Sequence, residues 1–240
     1  MKMSKRIFSL VITIAAVIVM VVPAHMTAQG EKDASPSLTS GQKYLFDIFK
    51  DRRSVRNFKS TPIPQEHILK ILDIARTAPT AGNQQPWKFL VIQDRTKLNQ
   101  LKQECMSSTL EAVKGRGNVD EAKLNSLRQR LTKSLDGYLS APVYVAVLVD
   151  TKSKYPTYNL YDGTLAAGYL MIAARSFGYG TVFITDSIPY RLLKKVFDIP
   201  DRYVGICFTP IGVPDKWPES PPKRTLDEFV VFEKFVKSDE

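Results

Sequence analysis

Residues 143–149 (VYVAVLV) constrain this chain more than any other stretch. They are β-branched at nearly every second position and apolar at every position, so they read as a strand. A strand that is polar on neither face must be covered on both faces. Residues 165–177 (LAAGYLMIAARSF) are apolar almost all round, which marks a central helix rather than a surface one. The fold must therefore set helices against a sheet, with this strand and this helix inside.

The remaining elements follow from local pattern. Thr39 and Gln42 fit a capping box, and Tyr44, Leu45, Ile48 and Phe49 fall on one helical face, so a helix runs from Thr39 to about Lys50. Pro64 opens a second helix with Glu66 in its first turn and Ile68, Leu69, Ile71, Leu72 and Ala75 as its apolar stripe; it ends before Pro79. Strands are expected at 87–92, 181–185 and 203–211. Helices are expected over 96–139, with a break at 115–118, and over 190–197. Helices and strands interleave without an internal repeat, as in a single domain with helices covering a sheet. The apolar tail at 226–235 needs something to pack on, such as another subunit.

The N-terminus has a different character. Lys2, Lys5 and Arg6 precede an uncharged apolar run at 7–22, and small residues follow at Pro23 and Ala24. That is the order of an export signal, with cleavage sites after Ala24 or Ala28. The run is also near the lower limit of a membrane span, so an uncleaved anchor is the alternative. Residues 1–28 are read as signal peptide or anchor, 29–40 as a tether and 41–240 as the folded domain. The protein is expected to be exported, periplasmic or otherwise extracytoplasmic, touching a membrane only through 7–22 if they are retained.

The formal net charge is +10, from 34 Lys and Arg against 24 Asp and Glu; without residues 1–30 it is about +7. The basic residues are scattered and often near acids, unlike a nucleic-acid-binding face. The only two histidines are His25, near the export segment, and His67, which reads as a solvated surface residue beside Glu66. Cys105 and Cys207 lack metal-ligand spacing; they could pair in an oxidising compartment, or Cys207 could be buried and free in its strand. There is no phosphate-binding P-loop and no glycine-rich dinucleotide fingerprint. Acid–base or nucleophilic catalysis has little equipment here, so an enzyme with this sequence would rely on a bound cofactor.

Two constellations could hold one. Arg52, Arg53, Ser54 and Arg56 follow the first helix, and such residues make charge-assisted contacts to phosphate. Residues 78–87 (APTAGNQQPW) are dense in amides suited to the edge of a planar heterocycle and are stiffened by two prolines. These segments, with Ala141-Pro142-Val143, Gly178-Tyr179-Gly180-Thr181, Pro210-Ile211-Gly212-Val213-Pro214 and Lys223-Arg224 in order, resemble the nitroreductase family of FMN-dependent oxidoreductases over roughly residues 42–235. Thr80 stands where serine is commoner, and Thr185-Asp186 where many members have glycine.

The resemblance implies an α+β fold: a three-layer α-β-α sandwich with a central mixed sheet, assembled as a domain-swapped homodimer. It implies that Arg52 and Ser54 face the FMN phosphate, that Arg53 lines the site and that Arg56 lies at the pyrimidine end. Lys223 and Arg224 would add charge at the phosphate. Pro79, Thr80, Ala81, Asn83 and Gln85 would approach from the other subunit. It implies ping-pong hydride transfer from NADH or NADPH to the flavin, then to a nitroaromatic, quinone or similar electron-poor acceptor, with no catalytic side chain and no metal. Other flavin chemistry on the same fold, such as oxidative dehydrogenation or flavin cleavage, and a non-catalytic exported flavin-binding protein with another electron donor are the alternatives.

Overall fold

Two rows of side chains leave the central strand on opposite sides, and each row seeds a core. The structure, a computed structural model, describes residues 37–235 except 116, 118 and 119. The export segment expected at 1–28, and the tether as far as residue 36, lie outside the described residues. One compact unit begins at Thr39. Its helices are α1 (Ser40–Asp51), α2 (Gln65–Ala75), α3 (Arg95–Lys114), α4 (Glu121–Tyr138), α5 (Asn159–Ser176) and α6 (Tyr190–Val196). Its strands are β1 (Trp87–Ile92), β2 (Val143–Asp150) and β3 (Tyr203–Ile211).

The strand order is β1-β2-β3, and both pairings are antiparallel. Val143, Val145, Val147 and Val149 pack with Ile68, Ile71 and Ala75 of α2 and with Ala167, Leu170 and Ala174 of α5. Tyr144, Ala146 and Leu148 pack on the other side with Leu98 and Leu101 of α3, Leu135 of α4 and Leu192, Leu193 and Val196 of α6. This is the expected three-layer sandwich. The alternation is the pleat itself, since successive side chains of a strand point to opposite faces.

The strand expected at 181–185 is reduced to bridges. Gly180 pairs with Gly212 and Ile184 with Phe208, both antiparallel. The residue in register between them on β3 is Pro210, which has no N–H to give. The parallel pairing among the described residues is an isolated bridge from Ser54 to Thr181, outside the three strands.

The capping box of α1 forms as expected: Gln42 N donates to Thr39 Oγ1, and Thr39 N donates to Gln42 Oε1. α5 starts six residues earlier than its apolar run, because its first turn carries buried polar residues, Asn159 and Asp162. Nor is α5 covered all round by its own chain. Gly163, Ala166, Ala167 and Leu170 face the sheet, while Leu160, Tyr161, Leu165 and Tyr169 are exposed. α1 buries no residue at all, leaving Tyr44, Leu45 and Phe49 exposed, and the tail residues Leu226, Phe229, Phe232 and Phe235 are exposed as well. Among the described residues no helix is long and apolar enough to cross a membrane.

His67 corrects its expectation. It is half-buried, its Nδ1 is 2.7 Å from the Tyr179 hydroxyl, and its ring lies 4.8 Å from that of Phe177. The helix stripe that buries Ile68 and Ile71 carries His67 against the end of α5.

Cys105 and Cys207 are both free and buried, and they belong to cores on opposite sides of the sheet, which rules out the disulfide. Burial pushes the Cys105 thiol up to about 11 and that of Cys207 to about 12. Both thiols therefore keep their protons in the folded protein when an unfolded chain would begin to lose them. Their stabilising contribution is complete below pH 9 and is lost as pH rises toward 11 and 12; burial pushes the Tyr144 hydroxyl in the same direction. At pH 8 a thiol–disulfide reagent should label the urea-unfolded chain fully and the native protein only as fast as it unfolds. Prompt labelling of the native protein would contradict this burial.

Candidate active site

The basic segment is fixed in place by the sheet. Arg52 caps the C-terminus of α1, its backbone N–H donating to Ile48 O at 3.1 Å. The chain then joins the sheet edge: Val55 N donates to Thr181 O at 3.0 Å, and the Val55 side chain is buried. A Cβ on Gly180 would lie 2.6 Å from Val55 Cγ2, so only glycine lets the two backbones come this close. With Val55 turned inward, its neighbours Ser54 and Arg56 are left to the cleft.

That cleft has a volume of about 820 Å³, and Arg52, Arg53, Ser54, Arg56 and Lys223 all line it. The roles differ. Arg53 turns back on its own helix: its Nη1 donates to the carbonyls of Lys50 and of Arg52, the latter at 3.0 Å, and its buried Nε has no partner. Arg56 donates from Nε to the Tyr138 hydroxyl at 3.1 Å and from Nη1 to Ser54 O at 3.2 Å. The side chains of Arg52 and Lys223 have no protein partner among the described residues. Of the acids at the cleft, Asp51 faces Arg175 at 3.8 Å, and Arg175 in turn stacks on Trp217 at 4.5 Å. The cleft therefore keeps unpaired cations, and a phosphate needs several such donors.

Arg224 is not among the lining residues. Its Nε is 2.8 Å from Glu228 Oε2, and its guanidinium lies over the Phe229 ring at 4.5 Å. Glu228 also closes a capping box with Thr225, so Arg224 serves the short tail helix Leu226–Glu228. Of the expected Lys223-Arg224 pair, only Lys223 reaches the cleft in this structure.

The amide loop is a strained turn held by the start of α5. Gly82, Asn83 and Gln85 have φ of 53°, 54° and 47°. Left-handed backbone at a non-glycine residue costs about 1–3 kcal/mol and persists only when the surroundings over-determine it. Here they do. Gln84 Nε2 donates to Asp162 Oδ2 at 2.6 Å and to Tyr155 O at 3.1 Å, while Gln84 Oε1 accepts from Tyr155 N at 2.7 Å. Ala81 N donates to Asp162 Oδ1 at 3.0 Å, and Gln85 N to Thr80 Oγ1 at 3.3 Å. Asp162 is a buried carboxylate in the first turn of α5, where the helix N-terminus favours negative charge. The result turns Gln84 inward and leaves Asn83 and Gln85 exposed. Pro79, Thr80 and Ala81 complete the turn.

Residues 79–85 do not line the basic cleft. Within this chain the basic segment and the amide loop therefore do not share a cleft. Sequence reasoning missed Gln84, Asp162 and Tyr138, the residues that hold the others. Asp162 did leave a signal, as the lone acid ahead of an apolar helix; Tyr138, in a polar amphipathic stretch, left none.

The model of the Nitroreductase family matches residues 49–213. The chain belongs to the nitroreductase family. It is 29% identical over 194 residues to the iodotyrosine deiodinase of Thermotoga neapolitana, covering 79% of this chain and 97% of that one. It is 31% identical over 182 residues to YodC of Bacillus subtilis, provisionally named an NAD(P)H nitroreductase, covering 69% and 87%. The 5,6-dimethylbenzimidazole synthase of Rhodospirillum rubrum is 26% identical over 188 residues, covering 75% and 84%. Among solved structures, an oxidised iodotyrosine deiodinase bound to FMN and 3-iodo-L-tyrosine superimposes with a TM-score of 0.64 at 26% identity, covering 80% of this chain and all of that one. The fold is common to these proteins, while the reactions in their names differ.

Replacing Asp162 by Ala would leave Ala81 N–H and the Gln84 amide without their acceptor. Urea unfolding of Asp162→Ala should show a loss of about 1–3 kcal/mol, with the 79–85 loop becoming the first site of proteolytic nicking. Unchanged stability would mean that the loop does not depend on this carboxylate.

Proposed function

We propose that this protein is an FMN-dependent oxidoreductase whose site is assembled between two copies of the chain. The observation that carries this reading is the convergence of Arg52, Arg53, Ser54, Arg56 and Lys223 on one cleft, with Arg52 and Lys223 lacking side-chain partners among the described residues. Arg52, Ser54 and Lys223 hold the phosphate: two cations and a hydroxyl for a dianion. Arg53 adds positive charge while closing the end of α1. Arg56 reaches the pyrimidine end of the ring. Pro79, Thr80, Ala81, Asn83 and Gln85 come from the partner subunit, whose preset loop offers its two exposed amides to the edge of the ring. Arg224 is engaged with Glu228 and does not line the cleft of its own chain.

The composite site is supported by what each protomer leaves uncovered. The apolar residues of α1, the outer side of α5 and the tail are more than a monomer usually exposes. A domain-swapped homodimer, in which the tail crosses to the other subunit, covers them. FMN, when bound, would supply the redox chemistry, hydride transfer from NADH or NADPH to a nitroaromatic, quinone or similar electron-poor acceptor. The protein binds and orients the rings, excludes water and holds positive charge where the reduced ring carries its negative charge. A second reading, reductive removal of iodine from a halotyrosine, is favoured by the similarity to the Thermotoga neapolitana deiodinase across nearly the whole of that protein. Residues 1–28 carry the chain out of the cytoplasm in this account.

The test is an absorption spectrum of the FMN-reconstituted protein before and after anaerobic NADH or NADPH. Flavin bands that bleach with either nucleotide and return on adding a nitroaromatic are the expected result; return only with 3-iodotyrosine favours the second reading. Arg52→Ala and Lys223→Ala should each weaken FMN binding by about tenfold or more. A protein that takes up no FMN would sink the proposal.

A further inference from the structure

Arg56 is held by one side chain from a distant part of the sequence, and that side chain belongs to an unusually well-braced turn. Tyr138 closes α4, and its hydroxyl accepts from Arg56 Nε at 3.1 Å. The turn that follows is tied in several directions. The buried Tyr144 hydroxyl donates to Tyr138 O at 3.1 Å and accepts from Ala141 N at 2.9 Å. Arg95 caps Ala141 O at 2.9 Å and Leu139 O at 3.2 Å. Ser140 Oγ donates to Gly137 O at 2.7 Å and accepts from Phe58 N at 3.0 Å, which joins the turn to the basic segment. There is no slack between them: a Cβ on Gly137 would lie 2.9 Å from Arg56 O and 2.7 Å from Asn57 Oδ1.

We infer that Tyr138 is a positioning residue that fixes the Arg56 guanidinium in the cleft. Arg56 is exposed, and a free arginine there would sample many rotamers. Bonds at Nε, to Tyr138, and at Nη1, to Ser54 O, fix the plane of the guanidinium and leave Nη2 free for a ligand. The ring face contributes little, since the guanidinium carbon is 6.0 Å from the Tyr138 centroid, at the limit of cation–π attraction. The hydroxyl is therefore the working group, and its purpose is to keep a positive charge at a set place beside the ligand. This rests on the reading above that Arg56 meets the pyrimidine end of FMN, where a fixed cation favours the anionic reduced ring over the oxidised one.

The experiment is a double-mutant cycle on the full chain reconstituted with FMN, using Tyr138→Phe, Arg56→Gln and the pair together. The readouts are the two-electron midpoint potential of the bound flavin, the FMN dissociation constant by fluorescence, and the thermal midpoint. Arg56→Gln should lower the potential. Tyr138→Phe should lower it in the same direction, by about 30 mV for a tenfold weaker hold on the reduced form relative to the oxidised one. It should do so with little change in thermal midpoint, and it should add nothing to the potential of Arg56→Gln. If Arg56→Gln shifts the potential and Tyr138→Phe does not, the inference is wrong while the site reading stands. An equal Tyr138→Phe shift in the Arg56→Gln background would also overturn it, because Tyr138 would then act independently of Arg56. If Arg56→Gln changes neither the potential nor FMN affinity, the placement of Arg56 fails and the inference fails with it.

Discussion

Everything in this fold is arranged around a strand that cannot face water. Because β2 is buried on both sides, it requires two helical layers, and the pleat divides its residues between them. That division places α2 and α5 on one side and α3, α4 and α6 on the other, and it also separates the two cysteines. Functional groups are then left to the margins: the segment at 52–56 where the chain joins the sheet edge, and the turn at 79–85 that leads into β1. Each margin is braced by a side chain more than 80 residues away in the sequence, Asp162 in one case and Tyr138 in the other.

The sequence was most legible where one physical signal dominated. The capping box at Thr39 and the apolar run of β2 each had a single interpretation, and each formed; the stripe of α2 formed through Ile68, Ile71 and Ala75, while Leu69 is exposed. The segment at 181–185 misled because β-propensity is a property of its own residues, whereas a strand needs a partner with N–H groups, and Pro210 denies it one. His67 is misleading because its charged neighbour Glu66 points to exposure, whereas helix rotation carries its ring onto Phe177 and Tyr179. The outer side of α5 reads as core by hydrophobicity alone, and periodicity cannot tell contact within a protomer from contact with another one.

The candidate site was legible as residue types and not as architecture. Arginines and amides announce themselves by chemistry, so Arg52, Arg53, Ser54, Arg56 and Lys223 could be chosen in advance, and they share a cleft. The sequence pairs Arg224 with Lys223, and what separates the two is Glu228, four residues beyond Arg224, a local competitor whose pull is clear only with coordinates. The supporting residues were harder still. Gln84 stands between Asn83 and Gln85 in the same amide run, yet backbone strain turns it the other way.

The central claim is that two half-sites, separate in one protomer, form one flavin site between two. Subunit mixing tests it most directly. One variant loses the basic half through Arg52→Ala and Lys223→Ala. The other loses the amide half through Asn83→Gly and Gln85→Gly, which keeps the left-handed backbone accessible. Each alone should bind little FMN. Unfolded together in equal amounts and refolded, they should recover about a quarter of the wild-type FMN sites, because half of the dimers are mixed and each of those has one intact site. No recovery on mixing, from variants that refold and dimerise, would contradict the account and return the site to a single protomer.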